Sequence, residues 1–118
     1  MAWAGLDQRA FPRISARCDI LIHDHIGGTI KAKTQNLGGG GVCVILNREL
    51  EKLSKVRLRL TLEEAANPIE CEGRIVWMVR SKELPTGKVS FDTGIEFLNL
   101  KPIDHERISA YIENRRSS

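Results

Sequence analysis

The chain has 118 residues, 42% hydrophobic and 28% charged, with a formal net charge of +3. That length suits one domain with a modest core, and the balance excludes a disordered chain. So small a positive charge gives no support to a broad nucleic-acid-binding face, and no apolar run is long enough for a membrane-crossing helix, but a small anionic ligand is compatible with it.

The opening stretch, MAWAGLDQRAFPR, has no long apolar segment behind a basic cluster and does not read as a signal peptide. Within it, Pro12 biases Phe11 away from the helical region, so Gln8 to Arg13 reads as extended chain. Trp3 either stays loose with the terminus or closes over a site. Next, Ala16, Cys18, Ile20 and Ile22 alternate with Arg17, Asp19 and His23, which reads as a half-buried strand. Gly27-Gly28 is a hairpin signal leading into a strand from Thr29 to Thr34. After the run Gly38-Gly39-Gly40-Gly41, Val42 to Leu46 reads as a buried strand.

Further on, Val56, Leu58, Leu60 and Leu62 alternate with Arg57, Arg59 and Thr61. Glu63 to Pro68 is a polar connector, and Ser81 to Gly87 is another. Between them Ile69, Cys71, Gly73, Ile75, Trp77 and Val79 share one parity, which assigns Trp77 to the core. Val89, Phe91, Thr93, Ile95 and Phe97 repeat the pattern, with Gly94 marking a bulge or bend. The period then changes. Ile108, Tyr111 and Ile112 fall at helical spacing after Pro102, with Asp104 and Glu106 early and Arg115 and Arg116 late, as a helix dipole favours. About six short strands followed by one helix predict a small antiparallel barrel with a C-terminal helix packed on it.

Two stretches carry candidate chemistry. Arg9 and Arg13 share a side of an extended chain, roughly 13 Å apart at about 3.3 Å per residue. By themselves they read as two solvated arginines. A pair of guanidinium forks at that spacing also suits opposite ends of a dinucleotide-sized anion, gripping phosphate or guanine. The second stretch is Asn36-Leu37-Gly38-Gly39-Gly40-Gly41. Its glycines allow a base to approach the main chain, or let successive N–H groups converge on an anion as a nest. Asn36 offers an amide that both donates to and accepts from a base edge, while Leu37 is expected to point inward.

Together the stretches resemble the PilZ domain family, bacterial receptors for the second messenger cyclic di-GMP. That family pairs Arg-x-x-x-Arg with a downstream Asp/Asn-x-Ser-x-x-Gly, and the matching positions here are Arg9, Arg13, Asn36, Gly38 and Gly41. Gly73 to Trp77 and Thr93 to Phe97 look like its barrel strands. The resemblance implies a mainly β fold: a six-stranded antiparallel barrel over residues 15–118, with a C-terminal helix at about 102–115. Residues 1–14 would form a flexible arm whose arginines contact guanine and phosphate, with the second motif contacting guanine from the barrel. Gln8, Gly39 and Gly40 are additional candidate contacts. The implied ligand is cyclic di-GMP, with no cofactor, no catalysis, no DNA or RNA partner and no membrane insertion. Output would pass to an unidentified downstream protein in the cytoplasm.

One departure stands out: the family's serine is Gly38 here. One neutral hydrogen bond is worth roughly 0.5–1.5 kcal/mol, so its loss weakens binding by up to about tenfold. PilZ-like domains that act through protein contacts without ligand make a degenerate interaction module the alternative. The absence of a further arginine at Gln8 favours one ligand per domain over a stacked pair.

Enzyme and metal readings have less behind them. His23 and His25 would share a strand face, but the sequence offers no third metal ligand near them, and no thiol has a neighbouring histidine to act as base. Cys18, Cys43 and Cys71 are odd in number, widely spaced and without a Cys-x-x-Cys, and read as reduced, mostly buried thiols.

Overall fold

The computed structural model describes residues 13–64 and 66–116. The strands are β1 (Arg13–Ser15), β2 (Asp19–His23), β3 (Thr29–Gly38), β4 (Gly41–Leu46), β5 (Lys55–Thr61), β6 (Ile69–Lys82) and β7 (Val89–Leu98), followed by helix α1 (Pro102–Arg116). Alternation sets most of them. In β5, Val56, Leu58 and Leu60 are buried, while Lys55, Arg57 and Arg59 face solvent.

Pairing is antiparallel throughout and runs β3–β2–β5–β6–β7–β4, with β4 returning to β3. Six strands therefore close into a barrel, and β1 is a three-residue addition beside β3. Closure removes the open sheet edges that a flat sheet of these strands would expose. Ile20, Ile22, Leu37, Val42, Val44, Leu58, Leu60, Ile69, Ile75 and Ile95 fill the interior.

Closure falls to β3, which changes partner part-way along. Thr29 to Lys33 pair with β2, and Thr34 to Leu37 pair with β4. A bulge at Gln35 separates the halves, so Thr34 and Leu37, three residues apart, both point into the core. The Thr34 hydroxyl donates to the Ala16 carbonyl at 2.6 Å and accepts from the Cys18 N–H at 2.9 Å. The Thr34 N–H donates to the Cys18 carbonyl at 2.9 Å, and the Ala16 N–H to the Gln35 carbonyl at 3.2 Å. The link between β1 and β2 is thereby tied to the bulge, and β1 is set beside the end of β3.

A second bulge lies in β6, between Ile75 and Trp77. It overturns the single parity expected there. Ile75 is inward and fully buried, Met78 packs against the core, and Val79 is 54% exposed. Trp77 pairs with Gly94 on the outer face instead of entering the core. Gly94 itself is regular strand; the irregularity is opposite it.

The turn after β2 is held by the Asp24 carboxylate, which accepts from the Ile26 N–H at 3.0 Å and the Gly28 N–H at 2.8 Å, and pairs with Arg48 beyond β4. The backbone hydrogen bonds, led by that from Gly28, hold the Asp24 carboxyl below the ordinary carboxylate range. Gly27, at φ 97°, takes the left-handed position. His25 lies in this turn and not on the strand, so it does not share a strand face with His23. His23 Nδ1 is instead 2.9 Å from Thr29 Oγ1.

Helix α1 begins at Pro102 and ends on Arg115 and Arg116, as its spacing and charges predict. It buries Ile108 and Ile112 and packs against β1 and β3. The Cys18 thiol lies 3.5 Å from the Tyr111 hydroxyl, and the Arg115 guanidinium sits 4.3 Å above the Tyr111 ring. All three cysteines are free thiols. Burial, with Asp104 and Glu72 nearby, pushes the Cys71 thiol up to about 11, which keeps it protonated and inert near neutral pH.

Removing the Thr34 hydroxyl orphans a buried N–H and a buried carbonyl. Thr34→Val is therefore expected to lower the unfolding free energy by about 1–3 kcal/mol, while Thr34→Ser largely retains it. Urea unfolding of the three proteins checks this, and identical midpoints would contradict the role given to the hydroxyl.

Candidate functional site

The glycine-rich stretch forms the β3–β4 hairpin. Asn36, Leu37 and Gly38 end β3, Gly39-Gly40 is the connection, and Gly41 opens β4. Leu37 is fully buried, as expected, and so anchors the stretch from inside. The Gly40 carbonyl accepts from the Phe97 N–H at 2.9 Å, which ties the hairpin to β7. Among the described residues only Gly27 and Gly87 are glycines with positive φ. The run at 38–41 therefore lacks the alternating left-handed conformation on which an anion nest depends, and that expectation is corrected. What the glycines leave is a main chain without side chains, buried at Gly38 and Gly41 and partly exposed at Gly39 and Gly40.

Register places the two sequence motifs together. Arg13 is the Cα partner of Gly38, and Ser15 of Asn36. Residues 21 to 25 positions apart in the chain thus meet across one strand pair. Gln8 and Arg9 lie outside the described residues, as does Trp3.

From Asn36 a row of outward positions crosses the barrel wall. Asn36 pairs with Cys43, Cys43 with Gly94, and Gly94 with Trp77. Their neighbours Leu37, Val42, Val44 and Ile95 are fully buried, so strand alternation turns this row to the outside. At Gly94 an added Cβ would lie 2.2 Å from Trp77 Nε1, so the indole rests directly on the glycine main chain. On one side of the row stands Gly41–Glu96–Arg74, and on the other Ile45–Asp92–Val79. The row thus combines an amide, the buried Cys43, the buried main chain of Gly94 and an indole, flanked by carboxylates and the Arg74 cation. Such a face suits a flat, polar-edged ligand.

Sequence reasoning missed Trp77 as a surface residue because the β6 bulge reverses its parity. A signal was present in the pair of Gly94 and Trp77: a glycine inside a strand marks close approach by another group.

The family model described as the PilZ domain matches residues 7–114. The chain belongs to the PilZ domain family. Solved structures share this fold. The inhibitor of motility MotI/DgrA of Bacillus subtilis aligns with a TM-score of 0.77 at 21% identity, over 92% of this chain and 51% of that one. The PilZ domain of YcgR from Escherichia coli, solved with c-di-GMP, aligns with a TM-score of 0.75 at 15% identity, over 93% of both chains. The K. pneumonia MrkH–c-di-GMP complex aligns with a TM-score of 0.71 at 15% identity, over 93% of this chain and 55% of that one. The PilZ chain thus spans about half the length of MotI and of MrkH. No curated protein sequence matches it. Among the described residues, no helix is long and apolar enough to cross a membrane, and no group of three His, Cys, Asp or Glu side chains is placed to hold a metal.

The glycine at 94 is required by the indole above it. Gly94→Ala is expected to lift Trp77 from the barrel wall, lowering stability by about 1–3 kcal/mol through overpacking. In a Trp3→Phe background, where Trp77 is the one remaining indole, its emission should move to longer wavelength. Unchanged emission and stability would contradict the packing.

Proposed function

We propose that this PilZ domain is a receptor for cyclic di-GMP, bound on the outer barrel wall from the β3–β4 hairpin to Trp77. The observation that carries the reading is the register of Arg13 against Gly38, with Asn36 two residues from Gly38 on the same strand. It sets the second arginine of the N-terminal motif beside the glycine motif, where a dinucleotide-sized anion spans both. Asn36 takes a guanine edge, Gly38 to Gly41 admit the base against the main chain, and the Trp77 indole offers a flat surface. Arg9 and Arg13 contribute charge-assisted hydrogen bonds to phosphate and guanine. Gln8, Gly39 and Gly40 are secondary contacts. Binding orders the segment before β1, and the reshaped surface signals to a partner protein without catalysis. The c-di-GMP complexes of YcgR and MrkH support this reading. MrkH is also a c-di-GMP-dependent transcription regulatory factor, which places an output on transcription beside the protein-partner reading.

Gly38 favours a second reading, an interaction module of the same fold with weak or no ligand binding. Isothermal titration with cyclic di-GMP separates the two. The receptor reading predicts saturable binding, a loss of about 1.5–3 kcal/mol in each of Arg9→Ala and Arg13→Ala, and tighter binding by up to about tenfold in Gly38→Ser. Absence of heat for both folded wild type and Gly38→Ser would sink the receptor reading and leave the interaction module.

A further inference from the structure

The row beside the proposed site contains a carboxylate in an unusual setting. Asp92 lies on β7, two residues from Gly94, and faces outward because its neighbour Thr93 is fully buried. Its cross-strand partners are Ile45 on β4 and Val79 on β6, which are 45% and 54% exposed. No ion pair or hydrogen bond is formed by its carboxylate among the described residues. Glu96, two residues to the other side of Gly94, has a cation, Arg74, as its cross-strand neighbour on β6, where Asp92 has only aliphatic ones. Asp92 is thus a half-buried acceptor between two aliphatic side chains, next to an indole held flat on Gly94.

A carboxylate in that position repels phosphate, so it does not serve the charged part of an anionic ligand. It suits a planar edge carrying two adjacent N–H donors. Guanine has such an edge in N1–H and the N2 amine, whereas adenine presents one donor beside one acceptor. An ionised carboxylate only accepts, so it pairs with the first edge in two parallel hydrogen bonds and opposes the acceptor of the second. Two strand spacings and one row separate Asn36 from Asp92, about 12 Å in all. A cyclic dinucleotide carries two bases, and the wall offers two places to read them.

We propose that Asp92 is a specificity-determining residue that accepts the donor edge of one guanine, on the Trp77 side of the site, while Asn36 and the glycine hairpin take the other. The assignment rests on the receptor reading above and deepens it. It makes the domain select against adenine at the Asp92 position by leaving an acceptor facing an acceptor.

Titration calorimetry of wild type, Asp92→Asn and Asp92→Ala with cyclic di-GMP and cyclic di-AMP tests it, with circular dichroism verifying that each variant is folded. Wild type is expected to prefer cyclic di-GMP. Both variants should lose about tenfold or more in affinity for it, and their preference over cyclic di-AMP should narrow. Wild-type binding with both variants unchanged in affinity and preference would overturn the Asp92 assignment alone. Wild type binding neither nucleotide would overturn the receptor reading and this assignment with it.

Discussion

The barrel closes because β3 can serve two sheets, and that depends on how Thr34 is held. A continuous strand cannot keep one face inward while turning from β2 to β4, since the side-chain period is two. The bulge at Gln35 absorbs the extra residue, and the Thr34 hydroxyl grips the main chain at Ala16 and Cys18 on the far side. The β3 end of the candidate site is positioned by this. The bulge turns Asn36 outward and Leu37 inward, and the tie to Ala16 and Cys18 sets β1 against the last residues of β3. Helix α1, packed on β1 and β3 through Ile108 and Ile112, closes over the same corner.

The outer wall is shaped by a comparable device. The Val76 bulge in β6 rotates Trp77 out of the core, and Gly94 leaves the space in which its indole lies. Bulges in β3 and β6 therefore define the two ends of one row, Asn36 at one and Trp77 at the other. The face between them is built from residues that register brings together, although they lie as much as 58 positions apart in the chain.

How much of this is legible in the sequence depends on whether a residue's place is set by its own strand or by its neighbours. The core faces of β2 and β5 follow simple alternation, and α1 follows its apolar spacing, terminal charges and Pro102. The barrel, its helix and the inward Leu37 were readable for that reason. The bulges were not, because an extra residue is tolerated or excluded by the partner strand and by what packs there. That is why Trp77 and Val79 were assigned inward when they face out. Of the two readings of the glycine run, the nest failed on backbone conformation, which glycine leaves open in both directions. The likeness of the Arg9, Arg13, Asn36, Gly38 and Gly41 pattern to a family motif pointed to a site, but only the register of β1 on β3 says how Arg13 and Gly38 meet.

The central claim is that ligand lies along the wall from the β3–β4 hairpin to Trp77. Amide and indole chemical-shift mapping of the isotopically labelled protein during a cyclic di-GMP titration tests it most directly. The account predicts that the largest shifts fall on Asn36, Gly39 to Gly41, Cys43, Gly94 and the Trp77 indole N–H, with Arg57, Arg59 and the far face of β5 unmoved. Saturable shifts centred on β2 and β5, with the Asn36 to Trp77 row undisturbed, would contradict it.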